Sequence, residues 1–439
     1  MARLTFSGGV HPFDGKSLSK EKTITKFLPT GEMVYPLSQH IGAPAKPVVK
    51  KGDRVLVGQM IAEAGGFVSA PIYATVAGTV KAIEERRVPV GDMVTSIIVE
   101  NDGSYEEVEF PKRKPIEEQS KEEIIKEIQE AGIVGMGGAG FPTHVKLSPK
   151  SPDDIHYVIV NGAECEPYLT SDYRRMMENP EWVLEGLKIV LKLFDHATGI
   201  IAIEDNKKDC IKALKKLTVS EPGITVLPLK TKYPQGSERQ IIYACTGKAI
   251  NSGMLPADAG AIVDNVDTIV AIYHAVTNGR PLMNRIVTVT GDAIKKPQNF
   301  LVPIGTSYQE LIPAAGGFVT EPEKIISGGP MMGFSLFNTN VPITKTSSAL
   351  LCFAKDEVKR AKQTACIRCG KCVEVCPSRI MPNQLNKMAL KGDKEGFEKR
   401  NGMECVECGS CSFICPARKN LTQNIKTMRK QILADRRKK

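Results

Sequence analysis

Between about residue 30 and residue 100, apolar positions come in short alternating runs broken by glycine. Val48-Val49-Lys50-Lys51-Gly52-Asp53-Arg54-Val55, Gly58-Gln59-Met60-Ile61-Ala62 and Ala77-Gly78-Thr79-Val80 read as brief strands, with Gly-Asp and Ala-Gly turns marking hairpins. Past a charged linker at 111–115 the period lengthens. Ser120 and Glu123 form a capping box ahead of Ile124, Ile125 and Ile128, which share one helix face. The run Tyr157-Val158-Ile159-Val160 then predicts a buried strand. A helical stripe follows from Pro180 through Val183, Leu184, Leu187, Val190 and Leu191. A second apolar run at 200–203, a helix carrying Ile211, Leu214 and Leu217, and a third run at 225–227 complete the series. This β-α-β-α-β order predicts a parallel sheet with ligands at the strand carboxyl ends. From Arg285 alternation returns, at 286–290 and 300–305, with a short helix over 310–315 and a glycine turn at 327–333. Two helical stretches, 382–391 and 393–400, parted by Gly392, lie near the end.

A chain of 439 residues is too long for one small core, and these shifts of pattern predict a multidomain protein of mixed α/β and α+β class. Residues 1–30 form a polar N-terminal segment. Residues 31–110 resemble the barrel-sandwich fold of biotinyl and lipoyl carrier domains. A carrier needs a lysine on its exposed hairpin, yet none lies between Lys51 and Lys81, so the module is expected to be a docking scaffold. A Rossmann-like domain is expected over 116–282 and a β-grasp (SLBB-like) module over 284–335, with 335–355 as a connection. A helical ferredoxin-type domain over 356–420 and a basic tail over 421–439 complete the expected organisation.

Composition narrows the class. No stretch approaches eighteen consecutive apolar residues, so no membrane span is expected, and the start shows no signal-peptide pattern. The formal charge is +10, and nine Lys or Arg against the single acid Asp435 lie between Arg418 and Lys439. No aromatic stacking platform accompanies this basic end, which ranks nucleic acid last among its partners.

The cysteines carry the chemistry. Cys366, Cys369, Cys372 and Cys376-Pro377 are followed by Cys405, Cys408, Cys411 and Cys415-Pro416. The spacing C-x2-C-x2-C-x3-C-P thus occurs twice, the ligation pattern of a two-cluster iron–sulfur protein. Zinc knuckles share C-x2-C, but zinc has no use for a third Cys three residues on. In such runs the fourth Cys ligates the other cluster. One [4Fe-4S] cluster is therefore assigned to Cys366, Cys369, Cys372 and Cys415, the other to Cys405, Cys408, Cys411 and Cys376. Cys165, Cys210, Cys245 and Cys352 are scattered and suggest no disulfide framework. Arg368 and Lys371 lie in the first run while Glu404 and Glu407 flank the second, so the first cluster is expected to have the higher potential.

Gly135, Gly137 and Gly140 nominally match a dinucleotide fingerprint, but they follow a helix where the fingerprint requires a strand. A nest of glycine N–H groups still suits a phosphate. The stretch GMGGAGFPTHVK, residues 135–146, resembles the flavin-phosphate loop of the NADH-oxidising flavin subunit of respiratory complex I. Asn161-Gly162-Ala163-Glu164-Cys165-Glu166-Pro167, Tyr233-Pro234-Gln235-Gly236-Ser237-Glu238 and Asp264-Asn265-Val266-Asp267-Thr268 resemble later segments of that family, in the same order. With the barrel-sandwich start and the doubled cluster motif, the arrangement is similar to the C-subunit family of Rnf ion-translocating electron-transport complexes.

That resemblance implies FMN and NAD(H) beside the two clusters. It implies FMN phosphate on Gly135, Gly137, Gly138 and Gly140 with Lys146 nearby, and the flavin held by Asn161, Glu164 and Asn265. Phe141, Glu166, Tyr233 and Glu238 would frame the nicotinamide. Ala163 and Ser237 replace family carboxylates, implying a weaker hold on FMN. The implied protein is an enzyme subunit passing electrons between NAD(H), FMN and the clusters. Its partners would be the other subunits of a membrane-bound complex and, through them, ferredoxin, and it would sit peripherally on the cytoplasmic face. A non-catalytic iron–sulfur adaptor and the diaphorase half of a soluble hydrogenase or dehydrogenase are alternative readings.

Overall fold

The computed structural model describes residues 4–438; residues 1–3 of the N-terminal segment and residue 439 of the basic tail lie outside the described residues. The first module is two small sheets folded on each other. One has the strand order Met33–Pro36, Met93–Asn101, Gly78–Arg87, Arg54–Val55, and the other Lys46–Pro47, Met60–Glu63, Ile72–Tyr73. Alternating side chains such as Tyr35, Ile61, Ile97 and Val99 fill the space between them. The hairpin tip at 64–71 carries Phe67, whose ring meets His144 of the next domain edge-on at 5.8 Å.

The second domain holds a four-stranded parallel sheet, ordered Ile224–Leu229, Thr198–Glu204, Tyr157–Gly162, Ala261–Asn265. Three of these strands match the apolar runs of the sequence. The fourth is only five residues long and reads as a loop, because its last two positions are Asp264 and Asn265. Helices Pro180–Leu191 and Val266–Asn278 cover one face, and helix Glu238–Thr246 covers the other. Helix Lys121–Glu130 starts at the expected capping box, Ser120 with Glu123.

The third module departs from its expected limits. Its sheet has six strands, ordered Ile24–Lys26, Gln298–Pro303, Asn284–Thr290, Ala349–Phe353, Lys324–Ser327, Phe334–Ser335. The first comes from the N-terminal segment and pairs in parallel with Gln298–Pro303. Ala349–Phe353, expected as part of a connection, is a central strand between Asn284–Thr290 and Lys324–Ser327. Five residues buried on both faces show no alternation, so periodicity alone does not mark them.

The cysteine-rich end contains the two expected helices, Pro382–Lys391 and Lys394–Lys399, with Gly392 left-handed at φ 71° between them. The basic tail is a helix, Leu421–Lys438, and it belongs to this domain. Ile425, Met428 and Ile432 pack against Leu385 and Phe397. Its charges meet opposite charges distant in sequence: Asp435 with Lys394, Arg436 with Glu398, and Arg429 with Glu407. No helix among the described residues is long and apolar enough to cross a membrane.

Candidate functional site

The eight cysteines of the two runs line two separate cavities. Cys366, Cys369, Cys372 and Cys415 surround one, and Cys376, Cys405, Cys408 and Cys411 surround the other. Each cavity thus takes three thiols from one run and the fourth from the other. The thiols ring a space, and among the described residues no three Cys, His, Asp or Glu side chains close on a point that a single ion would fill. A cubane meets each thiolate at a separate iron, so four thiols around a void fit it.

The two cavities differ in surroundings. The first opens outward: Cys366 and Cys369 are exposed, and Arg368, Lys371, Lys387 and Lys419 line it. The second is walled by Pro377, Ile380, Val406 and Ile425, with no charged residue in its lining. Its Cys376 and Cys408 are buried, and Glu407 N lies 3.4 Å from Cys405 Sγ. The glutamates flanking the second run are neutralised by partners. Glu404 meets Arg239 at 2.9 Å and the Ser252 backbone N–H, and Glu407 pairs with Arg429. The charge contrast between the cavities therefore rests on the cations of the outer one. Arg368→Glu is expected to lower the potential of the outer cluster selectively. A redox titration followed by electron paramagnetic resonance checks this, and an unmoved midpoint would mean solvent screens the charge.

The inner cavity shares a wall with the parallel-sheet domain. Tyr233 Oη donates to the Cys408 carbonyl at 2.6 Å, and Val10, Tyr233 and Cys408 form one buried cluster touched by Cys165, Met331 and Val406. The N-terminal segment is threaded through this seam. Gly9 N donates to Val375 O at 2.8 Å, and Val10 exchanges backbone hydrogen bonds with Tyr233. Gly8 and Gly9 are left-handed, and a Cβ on Gly8 would stand 2.9 Å from the Cys376 carbonyl oxygen.

The glycine loop lies at the carboxyl end of the parallel sheet. A bridge between Val134 and Pro142 closes it, with Gly135 N donating to Phe141 O at 2.8 Å, and a one-turn helix Thr143–Lys146 follows. This is a closed loop and not the strand-to-helix turn of a dinucleotide fold. A Cβ on Gly138 would meet nothing within 4 Å, whereas one on Gly137 would stand 3.1 Å from Asn265 Nδ2. Gly140 is left-handed and packs on Gln39, His40 and Thr346, so the barrel-sandwich module buttresses the loop.

Around this cradle the residues singled out by sequence divide into two groups. Asn161 Nδ2 donates to Gly236 O at 2.8 Å, and Asn265 caps helix Val266–Asn278 while donating to Asp172 at 2.7 Å. Glu164, left-handed at φ 45°, accepts from Asp172 N at 2.8 Å. Lys146 Nζ reaches Val263 O at 2.6 Å and Asp264 at 3.2 Å, with Glu238 at 3.7 Å. Burial would depress this ammonium, but Asp264 and Glu238 outweigh it and raise its pKa. Lys146 is thus neutralised by carboxylates, which leaves the backbone N–H groups as the principal anion donors. Phe141 and Glu238 stand at an accessible edge. Tyr233 and Glu166 do not join them: Tyr233 is buried at the cluster seam, and Glu166 accepts from Met331 N at 3.2 Å.

Several buried polar atoms near the sheet's carboxyl end have no hydrogen-bond partner in the protein: Glu164 Oε2, Glu166 Oε1, Asp264 Oδ2, and Nε2 and Oε1 of Gln235. Buried polar groups are nearly always satisfied, so an orphaned set beside an open glycine loop suits a polar ligand such as a flavin mononucleotide. Burial raises the pKa of Glu166 and of Asp172 to about 7 each. For Glu166 the folded chain retains a proton that the unfolded chain loses between about pH 4.5 and pH 7. Its contribution to stability therefore falls as pH rises through that window, by roughly 3 kcal/mol. Glu166→Gln is expected to remove this slope from denaturant midpoints measured against pH.

Sequence reasoning missed the residues that hold the cradle. Lys16 Nζ donates to the carbonyls of Glu164 at 2.9 Å, Glu166 at 3.0 Å and Leu169 at 2.5 Å. Lys207 Nζ donates to Ala163 O at 2.7 Å, and Arg175 and Arg285 pair with Asp267 at 2.9 and 2.6 Å. A lone lysine in a polar segment gives no signal of such a role.

Comparison with known proteins divides the chain similarly. Family models match residues 4–104 as an RnfC barrel sandwich hybrid domain and 128–274 as a Nuo51 FMN-binding domain. Others match 286–335 as an SLBB domain and 357–416 as a 4Fe-4S dicluster domain. The chain is 45% identical over 437 residues to the C subunit of the Na(+)-translocating ferredoxin:NAD(+) oxidoreductase complex of Acetobacterium woodii, spanning 99% of this chain and 98% of that one. It is 47% identical over 389 residues to the C subunit of the proton-translocating ferredoxin:NAD(+) oxidoreductase complex of Clostridium ljungdahlii, spanning 88% and 85%. A solved NAD+-reducing [NiFe]-hydrogenase in the air-oxidized state shares the fold with a TM-score of 0.52 at 16% identity, over 74% of this chain and 69% of that one.

Proposed function

The chain belongs to the family of C subunits of ion-translocating (Rnf) ferredoxin:NAD+ oxidoreductase complexes, and from that premise we propose that it is the subunit where NAD(H) exchanges electrons with the complex. It is an oxidoreductase subunit whose cofactors are FMN and two [4Fe-4S] clusters and whose redox partners, through the complex, are ferredoxin and NAD+. Membrane association comes through partner subunits, and the cytoplasmic face is the side proposed.

FMN, when bound, exchanges hydride pairs with nicotinamide and single electrons with iron–sulfur clusters. The chain's own residues provide the setting. The N–H groups of Gly137, Gly138 and Gly140 are offered to the phosphate, because Lys146 is neutralised by Asp264; Gly135, assigned there by resemblance, donates its N–H to Phe141 O and shapes the loop instead. Asn161, Glu164 and Asn265 are held in place for the flavin by Gly236, Lys16 and Asp172. Phe141 and Glu238 are proposed to frame the nicotinamide. Glu166 and Tyr233, placed there by resemblance, instead join the flavin domain to the inner cavity, with Val10 keeping water from the seam. Proximity without water is what electron transfer asks of a protein, and no acid–base pair is needed.

The observation that carries this reading is the shared wall: the inner set of four thiols backs directly onto the domain holding the glycine loop. Anaerobically purified chain is expected to contain about eight irons with matching sulfide. Adding FMN and NADH should elicit reduced-cluster electron paramagnetic signals. Zinc in place of iron, or clusters that NADH leaves oxidised in the presence of FMN, would overturn it.

A further inference from the structure

The two cysteine runs are copies in backbone as well as in spacing. Arg368 and Glu407 are both left-handed at φ 57°, as are Gly370 at 78° and Gly409 at 83°, and Arg379 and Arg418 at 53°. Each glycine starts a one-turn helix, Lys371–Glu374 in one copy and Ser410–Phe413 in the other. Equivalent positions can therefore be compared, and they meet different surroundings.

In the second copy, the loop is a docking face already in use. Val406 packs into the seam with Val10, Tyr233 and Met331. The Cys408 carbonyl accepts from Tyr233 at 2.6 Å, and a Cβ on Gly409 would stand 2.9 Å from Met331 O. Glu404 at its edge takes Arg239 from the flavin domain at 2.9 Å. A redox module is thus seated on this copy through an apolar centre with a charged edge.

The first copy presents the same features to solvent. Ile367, the counterpart of Val406, is 67% exposed. Gly370, the counterpart of Gly409, has nothing within 4 Å of a Cβ position. The charge at this face is reversed: Arg368 replaces Glu407, and Lys371, Lys387 and Lys419 complete the lining of the outer cavity, with no carboxylate in it. Among the described residues, none of these four cations is paired with an acid, whereas Lys394, Arg429 and Arg436 of the same domain are.

We infer that the face around Ile367, Arg368, Lys371, Lys387 and Lys419 is the docking site for a partner protein that carries a one-electron centre behind an acidic surface. It seats on the first cysteine run as the flavin domain seats on the second. A protein occupant is favoured over an anionic membrane because the cationic ring encircles Cys366 and Cys369, ligands assigned to the outer cluster, so that an occupant able to exchange electrons is brought beside that cluster. An apolar centre within a polar rim is also the anatomy of a protein interface. The inference rests on the electron-transfer reading above and specifies where electrons enter or leave the chain.

The test binds the full-length purified chain to membranes from cells lacking it, with half-saturation measured against ionic strength. Lys387→Glu with Lys419→Glu lies outside the ligating runs. It is expected to raise half-saturation at least about tenfold and to flatten its salt dependence, as lost electrostatic steering does. Iron content and NADH-dependent reduction of the inner cluster, whose cavity has no charged residue in its lining, should stay at wild-type level. Lys212→Glu with Lys215→Glu, on a distant helix, should leave binding unchanged. Unaltered half-saturation in the first variant overturns the inference. So does an equal loss of binding to protein-free phosphatidylglycerol vesicles, which would make the face a lipid contact. Should the variant lose iron, the wild-type salt dependence decides: binding indifferent to salt overturns the inference. Absence of NADH-dependent reduction of the inner cluster in wild type would instead count against the electron-transfer reading, while the binding result still stands.

Discussion

Cys415→Ala is expected to remove the outer cluster and take the iron content from about eight to about four per chain. The effect is notable because Cys415 lies in the second cysteine run, whose other thiols surround the inner cavity. If each run held its own cluster, the same substitution would strip the inner site and leave the outer one intact. Electron paramagnetic spectra separate these outcomes. Loss of the outer cluster leaves a centre that NADH still reduces, since the seam of Val10, Tyr233 and Cys408 is untouched. Cys376→Ala is the complement: it should remove the inner cluster and end NADH reduction of the remaining one. If Cys415→Ala instead abolishes the NADH-reducible signal and Cys376→Ala preserves it, the cross-run pairing is wrong.

Lys16→Met is expected to destabilise the chain by about 3–5 kcal/mol and to release FMN. Methionine keeps the length and apolar bulk of the side chain while removing its donors. Three buried carbonyls, those of Glu164, Glu166 and Leu169, then lose a hydrogen bond. The Glu164 carboxylate, 3.6 Å from the ammonium and almost wholly buried, loses its counter-charge. Breaking a buried ion pair from one side is costly because the other charge stays behind. Burial already depresses the Lys16 pKa, with Glu164 acting against that shift, so the ammonium has no margin for losing its partners either. The loop from Glu164 to Tyr168 contains two left-handed non-glycine residues, Glu164 at φ 45° and Tyr168 at 68°, that need such support. Denaturant midpoints and flavin content measured together check this. An unchanged midpoint with full flavin would mean the loop holds itself.

Much of the site was legible because the chemistry is tied to local spacing. The thiol assignment follows from C-x2-C-x2-C-x3-C-P alone, whereas the glycine loop is read as a phosphate cradle through its resemblance to a flavin-phosphate loop. Strands were legible where they are long apolar runs, as at Tyr157–Gly162 and Thr198–Glu204 of the parallel sheet, and illegible at Ala261–Asn265 of that sheet and Ala349–Phe353 of the six-stranded one. Those two are too short for a period to emerge. The basic tail is undecided by sequence for a different reason. Its cations look unbalanced along the chain, but their acids, Glu398 and Glu407 among them, lie earlier in sequence and meet them only once the closing helix packs. Tyr233 and Glu166, which the resemblance assigns to the nicotinamide, also reach the cluster seam, through Cys408 and Met331, a contact that no local spacing reveals.

Thiol number and spacing, the lack of a carrier lysine and the order of strands and helices are properties of neighbouring residues, so cofactor class and domain order are already written in the linear chain. Which cluster faces the flavin, which faces solvent, and that Lys16 and Val10 fasten the parts together emerge only on folding. Two cysteine loops of matching backbone differ in their charges, which the sequence shows, and in what packs on them, which it does not. Contacts between residues more than a hundred positions apart have no periodic trace in a chain; they exist only when burial brings the groups into one apolar seam.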